Sequence, residues 1–147
     1  MQALFEISSL AVLPFWALMI LLPRARLTER VMRAPWAPAL LALLYAVLVL
    51  PRAGALLPLL ARPQLPPVAA LLGTPEGATI GWVHFLAFDL FVGRWAYLDA
   101  RERGVSPWLM APVLLLTLMM GPLGLLAYLG LRALLAPRTA AVAEVRP

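Results

Sequence analysis

Residues 81–101 read GWVHFLAFDLFVGRWAYLDAR, a run long and apolar enough to cross a bilayer that still carries His84, Asp89, Arg94 and, at its end, Asp99. An ionisable side chain within a membrane span is costly and by default marks a functional site. At ~100° per residue, His84, Phe88, Phe91 and Trp95 share one helical face, with Asp99 about 60° away. Asp89 lies roughly 140° to one side of His84 and Arg94 roughly 80° to the other. Five-residue steps do not stack polar groups on one stripe, so these groups cannot pair along their own helix. They need partners on different neighbours, which predicts a central helix in a small bundle.

Composition decides the class. Of 147 residues, 63% are hydrophobic and 13% charged, against about 45–50% and about 25% in globular proteins. With a mean hydropathy of +0.90, the chain reads as an all-α integral membrane protein, one transmembrane domain with no separate soluble domain. Every one of the 12 basic residues is arginine. Together with the Ala, Leu and Pro content, this resembles a GC-rich bacterial genome and predicts a bacterial inner membrane. The net charge of +5 does not point to nucleic acid, because the arginines cluster at span ends, where topology explains them. Zero cysteines exclude disulfides and thiolate chemistry, and a single histidine excludes a His-pair metal motif within one chain.

Four spans are expected, at about 3–22, 36–57, 79–99 and 107–132, as a four-helix bundle with kinked helices. Pro14 predicts a kink in the first, and Gly121-Pro122 a break in the fourth, both facing a shared internal cavity. Pro51-Arg52 either ends the second span or kinks it on towards Leu60. A short interfacial helix is expected at 66–72, and Thr74-Pro75-Glu76 reads as a helix start. The tail from Pro137 is short and polar. Four arginines between spans one and two, and two between spans three and four, favour both termini outside. Arg132, Arg138 and Arg146 then lie outside as well, against the same rule.

His84, Asp89 and Arg94 form either a buried acid–base cluster or a hydrogen-bond network joining helices. An unpaired carboxyl in hydrocarbon holds its proton and can donate it. Phe85, Phe88, Phe91, Trp95 and Tyr97 either line a pocket for a flat, extended apolar ligand or serve as packing and lipid anchors. Asp99 can pair with Arg103 at i+4. No P-loop, GxGxxG, GxSxG or HExxH is present, so nucleotide and metal-hydrolase readings lack support.

The segments VLPFWALMILLPRARLTERVM (12–32), LYAVLVL (44–50), GWVHFLAFDLFVGRWAYLD (81–99) and GPLGLLAYL (121–129) resemble the ABA4-like (abscisic-acid-deficient-4-like) membrane proteins. The shared pattern W-x-H-x(4)-D-x-F-x(2)-R-x(2)-Y-x-D falls on Trp82, His84, Asp89, Phe91, Arg94, Tyr97 and Asp99. Pro14, Pro23, Thr28, Pro122 and Gly124 match outside it. The family's plant member is associated with making neoxanthin from violaxanthin, so the resemblance implies a carotenoid or related isoprenoid ligand. In that isomerisation an epoxide opens while a proton leaves the polyene to form an allene, and no redox cofactor is needed. The resemblance then implies Asp89 as acid, His84 as base (or the reverse) and Arg94 fixing their charge states. Phe88, Phe91, Trp95, Tyr97 and Asp99 would bind the substrate. A non-catalytic carotenoid- or lipid-binding subunit and a proton-coupled transporter are the alternatives, the latter disfavoured by so few spans and no inverted repeat.

Overall fold

Thr74 accepts a hydrogen bond from Gly77 N (3.0 Å) and Pro75 takes the first helical position, which starts the longest apolar–polar run as one unbroken helix. A computed structural model describes residues 1–135; the expected tail from Pro137 lies outside the described residues. Its elements are all helical: α1 (Gln2–Leu21), α2 (Arg26–Arg33), α3 (Trp36–Val49), α4 (Ala53–Ala61), α5 (Leu65–Leu72), α6 (Pro75–Glu102) and α7 (Pro107–Leu134). A 3-10 turn, Leu50–Arg52, carries α3 onward into α4, so the second apolar segment continues past Pro51. By length and apolarity, three segments among the described residues can span a membrane: Gln2–Leu21, Trp36–Ala61 and Pro107–Leu134.

The core forms around α6, which packs against α1, α3, α5 and α7. Leu90, Ala96 and Ala100 of α6 are buried in one cluster with Val12, Trp16 and Met19 of α1, Leu41 of α3, and Met110, Leu114 and Tyr128 of α7, while Ile80 and Val83 form a second with Leu48 of α3. Gly93 is where α1 comes closest, since a Cβ there would run into the Trp16 ring. Leu10, Leu40, Leu43, Val47, Leu115 and Leu126 stay exposed on the outer faces. So large an apolar surface requires lipid or a partner to cover it.

The two proline sites behave differently. α1 is continuous through Pro14, and Pro14 is exposed instead of facing a cavity. Losing one donor in an otherwise fully bonded helix does not break it here. At the second site Met120 leaves the helical region (φ −146°, ψ 57°) and α7 reverses. Pro122 has no N–H, and its ring excludes the Leu118 carbonyl. A Cβ on Gly124 would overlap backbone atoms of Thr117, seven residues earlier, which in a straight helix lies about 10 Å away. The far end confirms the reversal. Tyr128 and Arg132 both donate to Asp99 near the end of α6, where α7 also begins. A straight α7 would put Arg132 about 37 Å from Pro107. The single fourth rod expected over 107–132 is therefore a helical hairpin, with halves 107–119 and 121–134 joined at Met120. The Thr117 hydroxyl beside the break bonds back to Val113 O (2.8 Å).

Candidate functional site

Halfway along α6, the tip of the α7 hairpin meets Asp89. Gly121 is buried there, and a Cβ on it would overlap the Asp89 carboxylate. Only a glycine leaves room for the acid, and the proline that follows fixes the turn presenting it. Below this contact lies a cavity of ≈ 650 Å³. Ser9, Leu10, Val12 and Leu13 of α1 wall it on one side, and Leu118, Met119, Gly121 and Pro122 on another. The α6 wall supplies Trp82, His84, Phe85, Leu86, Phe88 and Asp89. Trp82 is fixed by donating Nε1–H to Ser9 Oγ (2.8 Å) and by stacking on Phe5 at 5.2 Å.

His84 and Asp89 are the only ionisable side chains on this lining. His84 sits in an aromatic collar, with ring centroids at 4.8 Å from Phe88, 5.4 Å from Tyr45 of α3 and 6.1 Å from Phe85. Neither has a protein hydrogen-bond partner among the described residues, and neither is sealed off, since no buried side-chain N or O there lacks a partner. Both therefore keep accessible polar atoms on the cavity lining. Among the described residues no three His, Asp or Glu side chains converge as a metal site.

Arg94 is elsewhere. Its Nε donates to Met32 O and its Nη2 to Arg33 O (3.0 Å), so it caps the C-terminal end of α2, where carbonyls lack helical partners. Phe91 and Phe88 line a second, apolar groove of ≈ 380 Å³ between α3 and α6, with Pro35, Pro38, Ala39 and Ala42. Trp95 is edge-on to Tyr128 at 5.3 Å, in the packing between α6 and α7. Buried Tyr97 donates its hydroxyl to Pro23 O (2.8 Å) at the corner after α1. Asp99 accepts from Tyr128, from Arg103 Nε (2.8 Å) and from Arg132 Nε (3.0 Å). The structure thus brings together His84, Asp89 and Phe88. It assigns Arg94, Tyr97 and Asp99 to the joints between helices.

Several joint residues escaped the sequence reading. Arg101 donates to Pro23 O and to Glu29 Oε2, each at 2.8 Å. Glu29 also takes Arg33 at 3.0 Å, and the Arg33 hydrogen bond, then the charge of Arg101, hold its carboxyl below the usual carboxylate range. Thr28 Oγ1 donates to Leu22 O (2.7 Å) and closes the end of α1. One acid among four arginines in 24–33 was the available signal for Glu29. For Tyr128 and Arg132 there was none, because their partner becomes a neighbour only when α7 reverses.

Fold and site define a class: an all-helical protein with segments able to span a membrane and a histidine–aspartate cavity between them. The chain belongs to the ABA4-like family, since the family model "ABA DEFICIENT 4-like" matches residues 3–128. Among curated proteins it is similar to Protein ABA DEFICIENT 4, chloroplastic, of Arabidopsis thaliana, at 27% identity over 111 residues. That match covers 71% of this chain and 50% of the relative, so the chain spans about half the length of the plant protein. No solved structure matches.

Proposed function

We propose that the protein is an integral membrane enzyme that binds one end of a carotenoid or related isoprenoid in the His84–Asp89 cavity and isomerises it by acid–base chemistry. The observation that carries this is the cavity itself: apolar walls with one imidazole and one carboxyl, both without protein partners. Family membership supports the ligand class. In this reading α1, α3–α4 and α6 cross the bilayer, α6 being long enough though more polar than the three segments named above, which puts Asp89, at the midpoint of α6, at mid-membrane depth. Exposed Leu10, Leu13, Phe85 and Phe88 border the cavity, so a long ligand can insert an end group and leave its chain among lipid.

For an epoxide-bearing end group, the protonated carboxyl of Asp89 gives its proton to the epoxide oxygen as the C–O bond breaks. Neutral His84 takes a proton from the adjacent polyene carbon, whose C–H electron pair forms the new π bond. One proton enters and one leaves, so the product is an isomer. Arg94 acts at a distance, by holding α2 against α6. The Phe88–Phe91 groove favours a second reading, a carotenoid-binding subunit without turnover. Expression in a carotenoid-producing host separates the two. A new isomeric pigment supports catalysis, co-purification of unchanged pigment supports binding alone, and the absence of both refutes the ligand class.

A further inference from the structure

We infer that α7 is a re-entrant hairpin that enters and leaves the bilayer on the same, arginine-rich face, so that the chain crosses three times instead of four. The inference rests on the membrane placement proposed above but not on any reaction. Each half of α7 is about 20 Å long, too short for a hydrocarbon core of about 30 Å. The tip reaches Asp89 at the midpoint of α6, and the second half returns to Asp99. Non-helical backbone at membrane depth is tolerated where protein or a cavity covers it. Here Met120, the one residue of α7 outside helical dihedrals, keeps an exposed side chain, while its neighbours Met119 and buried Gly121 line the cavity beside Asp89.

Charge supplies an independent argument. α1 and α6 run parallel, since Trp82 bonds Ser9 at one end and Tyr97 and Arg101 reach Pro23 at the other. The four arginines of 24–33 therefore share a face with Arg101 and Arg103. A crossing α7 would send Arg132 to the opposite face. The hairpin returns Arg132 to the same face and removes the conflict with the positive-inside rule. Among the described residues, only Arg52, paired with Glu76, and Arg62 remain on the other side. The arginine face is thus the cytoplasmic one and lies against the anionic leaflet.

The chain contains no cysteine, so each introduced thiol is the sole reporter. Ser106→Cys, Ala133→Cys and Gln64→Cys lie at exposed positions: the start of α7, its end, and the α4–α5 connection. In intact cells a membrane-impermeant maleimide should label Gln64→Cys alone, and Ser106→Cys and Ala133→Cys only after the cells are opened. The inverse pattern keeps the hairpin and overturns the orientation. If Ala133→Cys labels with Gln64→Cys, or labels only in detergent, α7 does not return and the hairpin is wrong. Recovery of the unsubstituted chain in the soluble fraction would overturn the membrane placement itself, a failure distinct from the first.

Discussion

Replacing Asp89 with asparagine tests the site at a single atom. Had Asp89 been the buried partner of Arg94, the amide would orphan a guanidinium and cost ~3–5 kcal/mol. Arg94 is instead engaged by Met32 O and Arg33 O, and among the described residues Asp89 has no hydrogen bond or ion pair to lose. Asparagine also keeps the volume that Gly121 admits, so no overpacking is added. The expected cost is under ~0.5 kcal/mol, a melting shift within ~2 °C for a chain of this size. The paired alternative predicts a fall of ~6–20 °C by the same conversion. An amide cannot deliver the proton, so turnover should drop by about 10²–10⁴ while pigment is still bound. Tryptophan-fluorescence melting in detergent, with product formed per mole of protein, reads both quantities. A fall of 6 °C or more, or unchanged turnover, would refute the reasoning.

Gly93→Val should force the Trp16 ring off α6 and cost about 1–3 kcal/mol, seen as reduced monodisperse yield in fluorescence-detected size exclusion. Tyr128→Phe removes one charge-assisted bond to Asp99 and should cost about 1–2 kcal/mol, whereas Asp99→Ala removes three and should cost more. Both should hasten proteolysis at the end of α7; equal melting temperatures for these two variants would argue against the shared latch. Because the folded carboxyl of Glu29 titrates below its unfolded value of 4.5, its contribution is present above that pH and lost as pH falls through the folded value. Glu29→Gln should therefore flatten the loss of stability between neutral pH and pH 3, and melting curves of identical pH dependence would count against the Glu29–Arg101 joint.

Much of the frame was legible because it depends on apolar length and on local chemistry. The cap at Thr74, the central place of α6 and the break at Gly121-Pro122 all follow from residue type and spacing, whereas Pro51-Arg52 leaves open an end or a continuation that the 3-10 turn decides. The partners of Arg94 and Tyr97 were hidden for a physical reason: both bond backbone carbonyls, which every residue carries and no sequence pattern marks. The reversal of α7 was half visible. Gly-Pro announces a break, but its angle depends on Gly124 lying on Thr117 and on Asp99 holding Tyr128 and Arg132. His84 and Asp89 lie about 140° apart on one helix by periodicity, and only the hairpin tip closes the α6 wall they share into a cavity. Phe88, Phe91 and Trp95, one face by periodicity, divide because α3 and α7 flank that face from either side.

The corner after α1 carries a consequence for biogenesis. The carbonyls of Pro23, Met32 and Arg33 are satisfied by side chains at positions 94, 97 and 101, some sixty to eighty residues later in the chain. While only α1–α4 have been made, α2 is therefore held by Thr28 against the end of α1 but lacks its seat on α6. It waits at the membrane surface until the far end of α6 arrives to latch it. A ribosome that stalls before Arg94 leaves three open acceptors and an arginine-rich helix without its seat, a condition that quality-control proteases can recognise. Completion of α6 is then the event that converts a string of inserted helices into a folded protein.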